Sequence, residues 1–324
     1  MPIHHDSVLD EHEAVRSDVG VFDVSHLGRF SVSGDGALEL LRDQLCNDIA
    51  KIGPGRAQYT MALNERGGIE DDIIVWWLED DNFWVMPNGT NFDGIVQRFR
   101  DAAGPSVTFE DVRERTALVA VQGSNALALV EKVLGFVPKR FRVAVGQFAG
   151  HEAVAAGTGY TGESGAEICV PTESAHELWD ALIDAGATPA ALGARDTLRL
   201  EMGYPLWGQD LHADVTPLEA GLGWVVDWDH DFVGKAALED IRHDLPSRLI
   251  AFVTEGRAIP RQGYAVTTTT GTGTVTSGNF SPSLGHGIGM AYVSPPPGPD
   301  DTMTVTIRNK EVPAHIVSLP FIDR

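Results

Sequence analysis

Gly67-Gly68-Ile69-Glu70-Asp71-Asp72-Ile73-Ile74-Val75 is the stretch from which the fold is read. Its glycine pair follows Asn64-Glu65-Arg66 and precedes a β-forming run ending in Trp76-Trp77-Leu78, so it reads as a hairpin tip feeding a strand. Side chains alternate along a strand. Asp71 therefore shares a face with Ile73 and Val75, and Asp72 shares the other with Ile74 and Trp76. Either face sets one carboxylate among apolar neighbours, where it is costly unless it meets a cation, a donor or a substrate. The plainer alternative is that both acids cap the turn and remain solvated.

Working outward, Ala57 to Leu63 is the strand that pairs with Ile69 to Leu78, entered through the Gly53-Pro54-Gly55 turn. Phe83 to Met86 and a helix from about Asn91 to Ala103 complete a small sheet-and-helix unit. Upstream, Ser7 to Arg16 reads as a capped helix, Phe22 opens an extended segment running through Phe30 and Val32, and Asp35 is placed to cap a helix from Gly36 to Leu45. A second unit starts near Arg115, with strands at Thr116 to Val121, Val143 to Phe148, Ala153 to Ala156 and Ala166 to Val170. Its helices run from Asn125 to Leu134, from Thr172-Glu173 to Ile183, and from about Ala190 to Met202. Beyond Asp240 short strands alternate with Gly, Pro and Thr turns, the texture of a small all-β domain; Thr267 to Thr276 reads as a hairpin.

The chain has 324 residues, 43% hydrophobic and 22% charged, enough for two or three domains. Its net charge of -22 disfavours a nucleic-acid backbone or an anionic membrane as partner and suggests a surface suited to a salt-rich medium. No apolar run is long enough to span a bilayer, and no basic-then-apolar leader is present, so the expected compartment is the cytoplasm. Cys46 and Cys169 are too few for a disulfide framework or thiolate metal site and read as small buried hydrophobes. The eleven histidines show no compact ligand spacing, so no metal is expected; His26 reads as a satisfied structural histidine.

Four motifs in order, Phe22-Asp23-Val24-Ser25-His26, Gly67 to Val75, Thr158-Gly159-Tyr160-Thr161-Gly162-Glu163 and Gly193-Ala194-Arg195-Asp196-Thr197-Leu198-Arg199-Leu200-Glu201, resemble the aminomethyltransferase (T-protein) family of the glycine cleavage system. The similarity continues through Pro217 to Trp224 and Thr276-Ser277-Gly278. It implies an α+β, three-lobed fold around a central folate cavity: residues 1–28 with 113–240, residues 29–112, and a C-terminal β-barrel at 241–324. It also implies tetrahydrofolate as co-substrate and, as partner, a lipoylated H-protein whose arm carries the aminomethyl group. The family places the functional acid on Asp72, a choice the periodicity leaves open. A fixed carboxylate there favours a developing iminium and a protonated leaving amine. The folate contacts carried over are Leu27, Tyr59, Trp76, Asn88, Tyr160, Glu167, Arg195 and Tyr204. Without the resemblance, Glu167 reads as a surface acid, Tyr59 as a core strand residue, and Arg195 and Arg199 as solvated ion partners of Asp196 and Glu201. Trp76 stands where relatives often have Tyr, and Leu27 where they usually have Met.

The resemblance also sets two difficulties. Relatives carry an N-terminal arm ahead of the Met1-Pro2 at which this sequence starts, and a protein of charge -22 repels an acidic partner unless a local basic patch or high salt intervenes. The alternative enzyme on the same scaffold is a tetrahydrofolate-dependent demethylase of a small methylated compound. A folate-binding iron–sulfur assembly protein is the non-enzymatic alternative, disfavoured because Phe232-Val233-Gly234-Lys235-Ala236 lacks that branch's cysteine motif.

Overall fold

The structure, a computed structural model, describes residues 2–298 and 301–324. Two compact units divide the chain: Met1–Ala62, Asp71–Arg195 and Asp227–Phe232 form one, and Leu63–Glu70, Asp196–Val226 and Val233–Arg324 the other. The first unit is built on two sheets. The six-stranded sheet runs in the order Thr188–Pro189, Gly20–Asp23, Thr116–Gln122, Gly165–Pro171, His151–Ala156, Val143–Phe148. The five-stranded sheet runs Arg56–Leu63, Ile69–Glu79, Asn82–Met86, Phe30–Ser33, Thr108–Asp111. All strands of the first fall within residues 1–28 and 113–240, and all strands of the second within 29–112.

Each sheet is covered by amphipathic helices. Ala37–Gln44 and Phe92–Ala102 pack on the five-stranded sheet through Leu40, Leu41, Ile95 and Phe99, with Phe30 edge-on to both Phe92 and Phe99 at 5.9 and 5.8 Å. Such ring pairs add roughly 0.5–1.5 kcal/mol beyond the burial itself. Ala126–Leu134 and Ala175–Asp184 cover the six-stranded sheet through Leu129, Val130, Leu178 and Leu182. In the second unit the strands Arg248–Thr254, His286–Ser294, Thr272–Ser281, Ala265–Thr268, Met303–Ile307 and Lys310–Val317 close into a barrel, filled by Ile250, Phe252, Val266, Val275, Val293 and Val305. The Thr267 to Thr276 segment is part of an antiparallel hairpin, with Thr267 opposite Thr272. None of the described helices is long and apolar enough to cross a membrane. Both cysteines are buried and free, and burial pushes the Cys46 thiol up to about 12.

Three local expectations are corrected. Phe22 to Val32 is not one extended segment: Gly20–Asp23 ends in one sheet and Phe30–Ser33 begins in the other, because Gly28 turns the chain where a Cβ would lie 2.8 Å from both Phe92 and Pro87. Asp35 does not cap the following helix; Gly36, at φ +91°, occupies the cap position and no side chain bonds there. Thr172 and Glu173 belong to a short 3₁₀ turn, and the helix itself begins at Ala175. Ser7 does cap its helix, accepting from the Asp10 N–H.

Candidate active site

On the Ile69–Glu79 strand the alternation separates the two acids. Asp71 joins Ile73 and Val75 and is fully buried, whereas Asp72 keeps part of its surface open to solvent. The loop after the neighbouring Asn82–Met86 strand brings Asn88 between them. Its backbone N–H donates to Asp71 Oδ2 at 2.9 Å, and its amide Nδ2 lies 2.7 Å from Asp71 Oδ1 and 2.8 Å from Asp72 Oδ1. Asn91 donates a further bond to Asp71 Oδ1 at 2.8 Å. From the adjacent Arg56–Leu63 strand, the half-buried Tyr59 donates its hydroxyl to Asp72 Oδ2 at 3.1 Å. The solvated-cap alternative therefore fails for Asp71.

Desolvation dominates the titration here. It raises Asp71 to about 7, helped by the charge of Asp72 and opposed by the Asn88 and Asn91 donors. Asp72 is also raised, by desolvation against the Asn88 and Tyr59 bonds. The Tyr59 phenol is pushed up by burial, then by the Asp72 carboxylate and by Tyr160, which sets Tyr160 within electrostatic reach of this cluster. The Asp72 charge thus adds to the burial of Asp71, and of the two acids the sealed Asp71 is the one whose proton the neighbouring carboxylate helps to hold.

Tyr160 sits in the loop between His151–Ala156 and Gly165–Pro171, and the Arg195 guanidinium lies over its ring, 4.7 Å from the centroid. Glu167 is 7% exposed, not a surface acid; Ala120 and Ala156 are its neighbours on the flanking strands, and Thr158 donates to its Oε2 at 2.5 Å. Among the described residues Oε1 of Glu167 has no donor. Leu27 is half-buried in the loop between the two sheets, whose carbonyls at Ser25 and Leu27 accept from the buried Arg29 guanidinium at 3.1 and 3.0 Å. His26, read as a satisfied structural histidine, is exposed, and partial desolvation and the Arg195 charge hold it below its ordinary range. Trp76 is fully buried against Trp84, ring centroids 6.1 Å apart, and presents no surface to a ligand; its indole N–H has no partner among the described residues. Tyr204 lies in the second unit, its N–H bonded to the Arg199 carbonyl at 2.9 Å. Arg199 is 2% exposed and pairs with Asp196 and Asp210 at 2.8 and 3.0 Å, so it is a buried clamp of that unit.

Sequence reasoning missed four supporting residues. Asn91 is one. Gln122, 1% exposed, donates to the Thr158 carbonyl at 3.0 Å and accepts from the Thr161 hydroxyl at 2.9 Å. Thr158 links that amide to Glu167, and Arg16 reaches the Thr161 carbonyl at 2.7 Å. Thr158 stands in one of the four motifs without an assigned role, and the signal for Gln122 is the glycines packed on it: a Cβ at Gly159 or Gly165 would lie 2.0 or 2.4 Å from Gln122 or from the Val121 carbonyl. The fold also gathers Asp48, Asp227 and His230, which no spacing announced. These donors are already engaged: His230 faces the Asp227 and Leu45 carbonyls at 3.1 Å each, Asp227 pairs with Lys51, and Asp48 with Arg42.

Two α+β sheets carrying an acid–amide–phenol cluster, with a closed barrel as a separate unit, define a class that the comparisons with known proteins resolve further. Residues 2–230 match the GCVT N-terminal domain and residues 248–323 the glycine cleavage T-protein C-terminal barrel domain. An aminomethyltransferase of Halothermothrix orenii is 40% identical, over 99% of this chain and 93% of that protein, and one of Thermus thermophilus is 42% identical, over 99% and 92%. The crystal structure of the glycine cleavage system aminomethyltransferase T of Bartonella henselae superimposes with a TM-score of 0.90 at 31% identity, covering 98% of this chain and 90% of that one. The chain belongs to the glycine cleavage T-protein family.

Proposed function

We propose that this enzyme is the aminomethyltransferase of a glycine cleavage system, passing the methylene carbon of an aminomethyl group on the lipoyl arm of an H-protein to tetrahydrofolate, with release of ammonia. The observation that carries the assignment of Asp72 is the division of labour between the paired acids: Asp71 is sealed under three donors, while Asp72 is open and oriented from both sides by Asn88 and Tyr59. A carboxylate held in this way stabilises the protonated amine as it leaves, and because its donors are fixed it needs little reorganisation. Glu167 supports the folate reading, since its Oε1 has no donor among the described residues and a carboxylate can accept the paired N–H groups of an aminopyrimidinone edge. The folate supplies the accepting nitrogen. Arg195 over Tyr160 provides a planar cation and an aromatic face nearby, and Leu27 is a further proposed contact in the same unit. The proposal divides the chain at 28/29, 112/113 and 240/241, supported by the confinement of each sheet's strands to one of the resulting segments.

The test incubates the purified protein with tetrahydrofolate and aminomethyl-loaded H-protein and follows ammonia and methylenetetrahydrofolate beside an Asp72→Asn control. Folate-dependent formation of both products, falling at least about 100-fold in the control, is expected. Unchanged turnover by Asp72→Asn would overturn the role of that residue. No turnover by the parent protein would overturn the assigned reaction.

A further inference from the structure

We infer that the loop Lys139-Arg140-Phe141-Arg142, together with Arg56, is the docking surface for an acidic protein partner; this rests on the reading above, in which the one-carbon donor arrives on a protein. Arg56 and Arg142 face each other across an antiparallel bridge, and the loop is fastened by bonds from Ala57 N–H to the Phe141 carbonyl, from Val143 N–H to the Gly55 carbonyl, and from Phe141 N–H to the Gly157 carbonyl, at 3.1, 2.9 and 2.9 Å. All four cations are exposed. None has an ion-pair partner among the described residues, whereas Arg42, Arg66, Arg113, Arg115 and Arg199 are each paired with a carboxylate.

In a chain with 46 acids and 24 Lys and Arg, four uncompensated cations on two adjoining segments are a local reversal of sign. The acid-rich remainder repels an acidic partner, so this patch sets the orientation in which one can approach. Phe141 gives the patch an apolar anchor. It is 41% exposed at φ +52°, a conformation that L residues with large side chains avoid, and the flanking hydrogen bonds hold it there. Val145, 56% exposed on the edge strand Val143–Phe148, extends the apolar surface. An exposed aromatic with the Arg140 guanidinium 5.8 Å from its ring centroid and three further exposed cations on the adjoining backbone suits a protein surface that offers carboxylates around an apolar centre. Four cations on a body of charge -22 are too few to hold a polyphosphate chain or an anionic bilayer.

The experiment measures binding and turnover separately. Binding of lipoylated H-protein is read by calorimetry at low and high salt, for the parent protein, the triple variant K139Q/R140Q/R142Q, and Phe141→Gly, which suits the positive φ and keeps the backbone while removing the ring. Turnover is read with aminomethyl-loaded H-protein and with free aminomethylated dihydrolipoamide. We expect about tenfold weaker binding by each variant, a flatter salt dependence in the triple variant, and unchanged turnover of the free donor. Equal affinity of parent and both variants, or no binding of H-protein by the parent, would overturn the docking surface. Absence of turnover by the parent with the free donor would instead strike the assigned reaction, whatever the binding shows.

Discussion

At the scale of single residues, the adjacent acids are told apart by one alternation of the strand. Asp71 points inward and is raised by desolvation to about 7; Asp72 points to the opposite face of the sheet, where Asn88 and Tyr59 meet it. Because burial raises the Asp71 value from 3.8 to about 7, its protonated form favours the folded state, and that contribution is complete below 3.8 and is lost as pH rises through about 7. Asp71→Asn removes this dependence. Its melting temperature relative to the parent is expected to rise between pH 5 and pH 8 by several degrees, on the order of 2 kcal/mol. A difference that stays flat across that interval would show that Asp71 carries no raised proton. Trp76, carried over as a folate contact, is instead sealed against Trp84 and offers no face to a ligand.

At the scale of elements, the Thr158–Gly165 loop is positioned from beneath. Gln122 ties Thr158 to Thr161, Thr158 reaches Glu167, and Arg16 pairs with Glu163 at 2.9 Å, so the loop bearing Tyr160 is fastened at both ends. Gln122→Leu leaves the Thr158 carbonyl and the Thr161 hydroxyl without their partner in a buried setting. A loss of about 1–3 kcal/mol in denaturant unfolding is expected, with a raised KM for tetrahydrofolate and a smaller change in kcat. A variant with parent-like stability and KM would remove the loop-positioning role. The strands and helices were largely legible because their apolar periodicity is strong, as in Ile69–Glu79 and Phe92–Ala102. Legibility failed where a glycine decides the path: Gly36 displaces Asp35 as a cap, and Gly28 turns the chain between two sheets.

For the whole molecule, the charge of -22 is the dominant feature. Added salt screens the mutual repulsion of the acids, so the melting temperature is expected to rise from low to molar sodium chloride. A fall over the same range would count against a surface adapted to salt. The barrel adds a feature of closure: with all six strands paired around it, none of its edges is open to another chain.

The sequence alone determined many of the strands and helices, though not the strands Thr108–Asp111, His286–Ser294 and Lys310–Val317 or the helix Lys235–Ile241, together with the excess of acids and the ordered motifs that resemble the T-protein family, because each of these is written in local spacing or composition. Only the tertiary structure decided that Asp71 is the sealed acid and Asp72 the open one, that Glu167 lies buried under Thr158, and that Gln122 supports the Tyr160 loop. It also brought Arg56 beside Lys139, Arg140 and Arg142. The physical reason is common to all four. Desolvation, hydrogen-bond partnership and charge clustering depend on groups far apart in the chain, and their energies exist only once folding has brought those groups together.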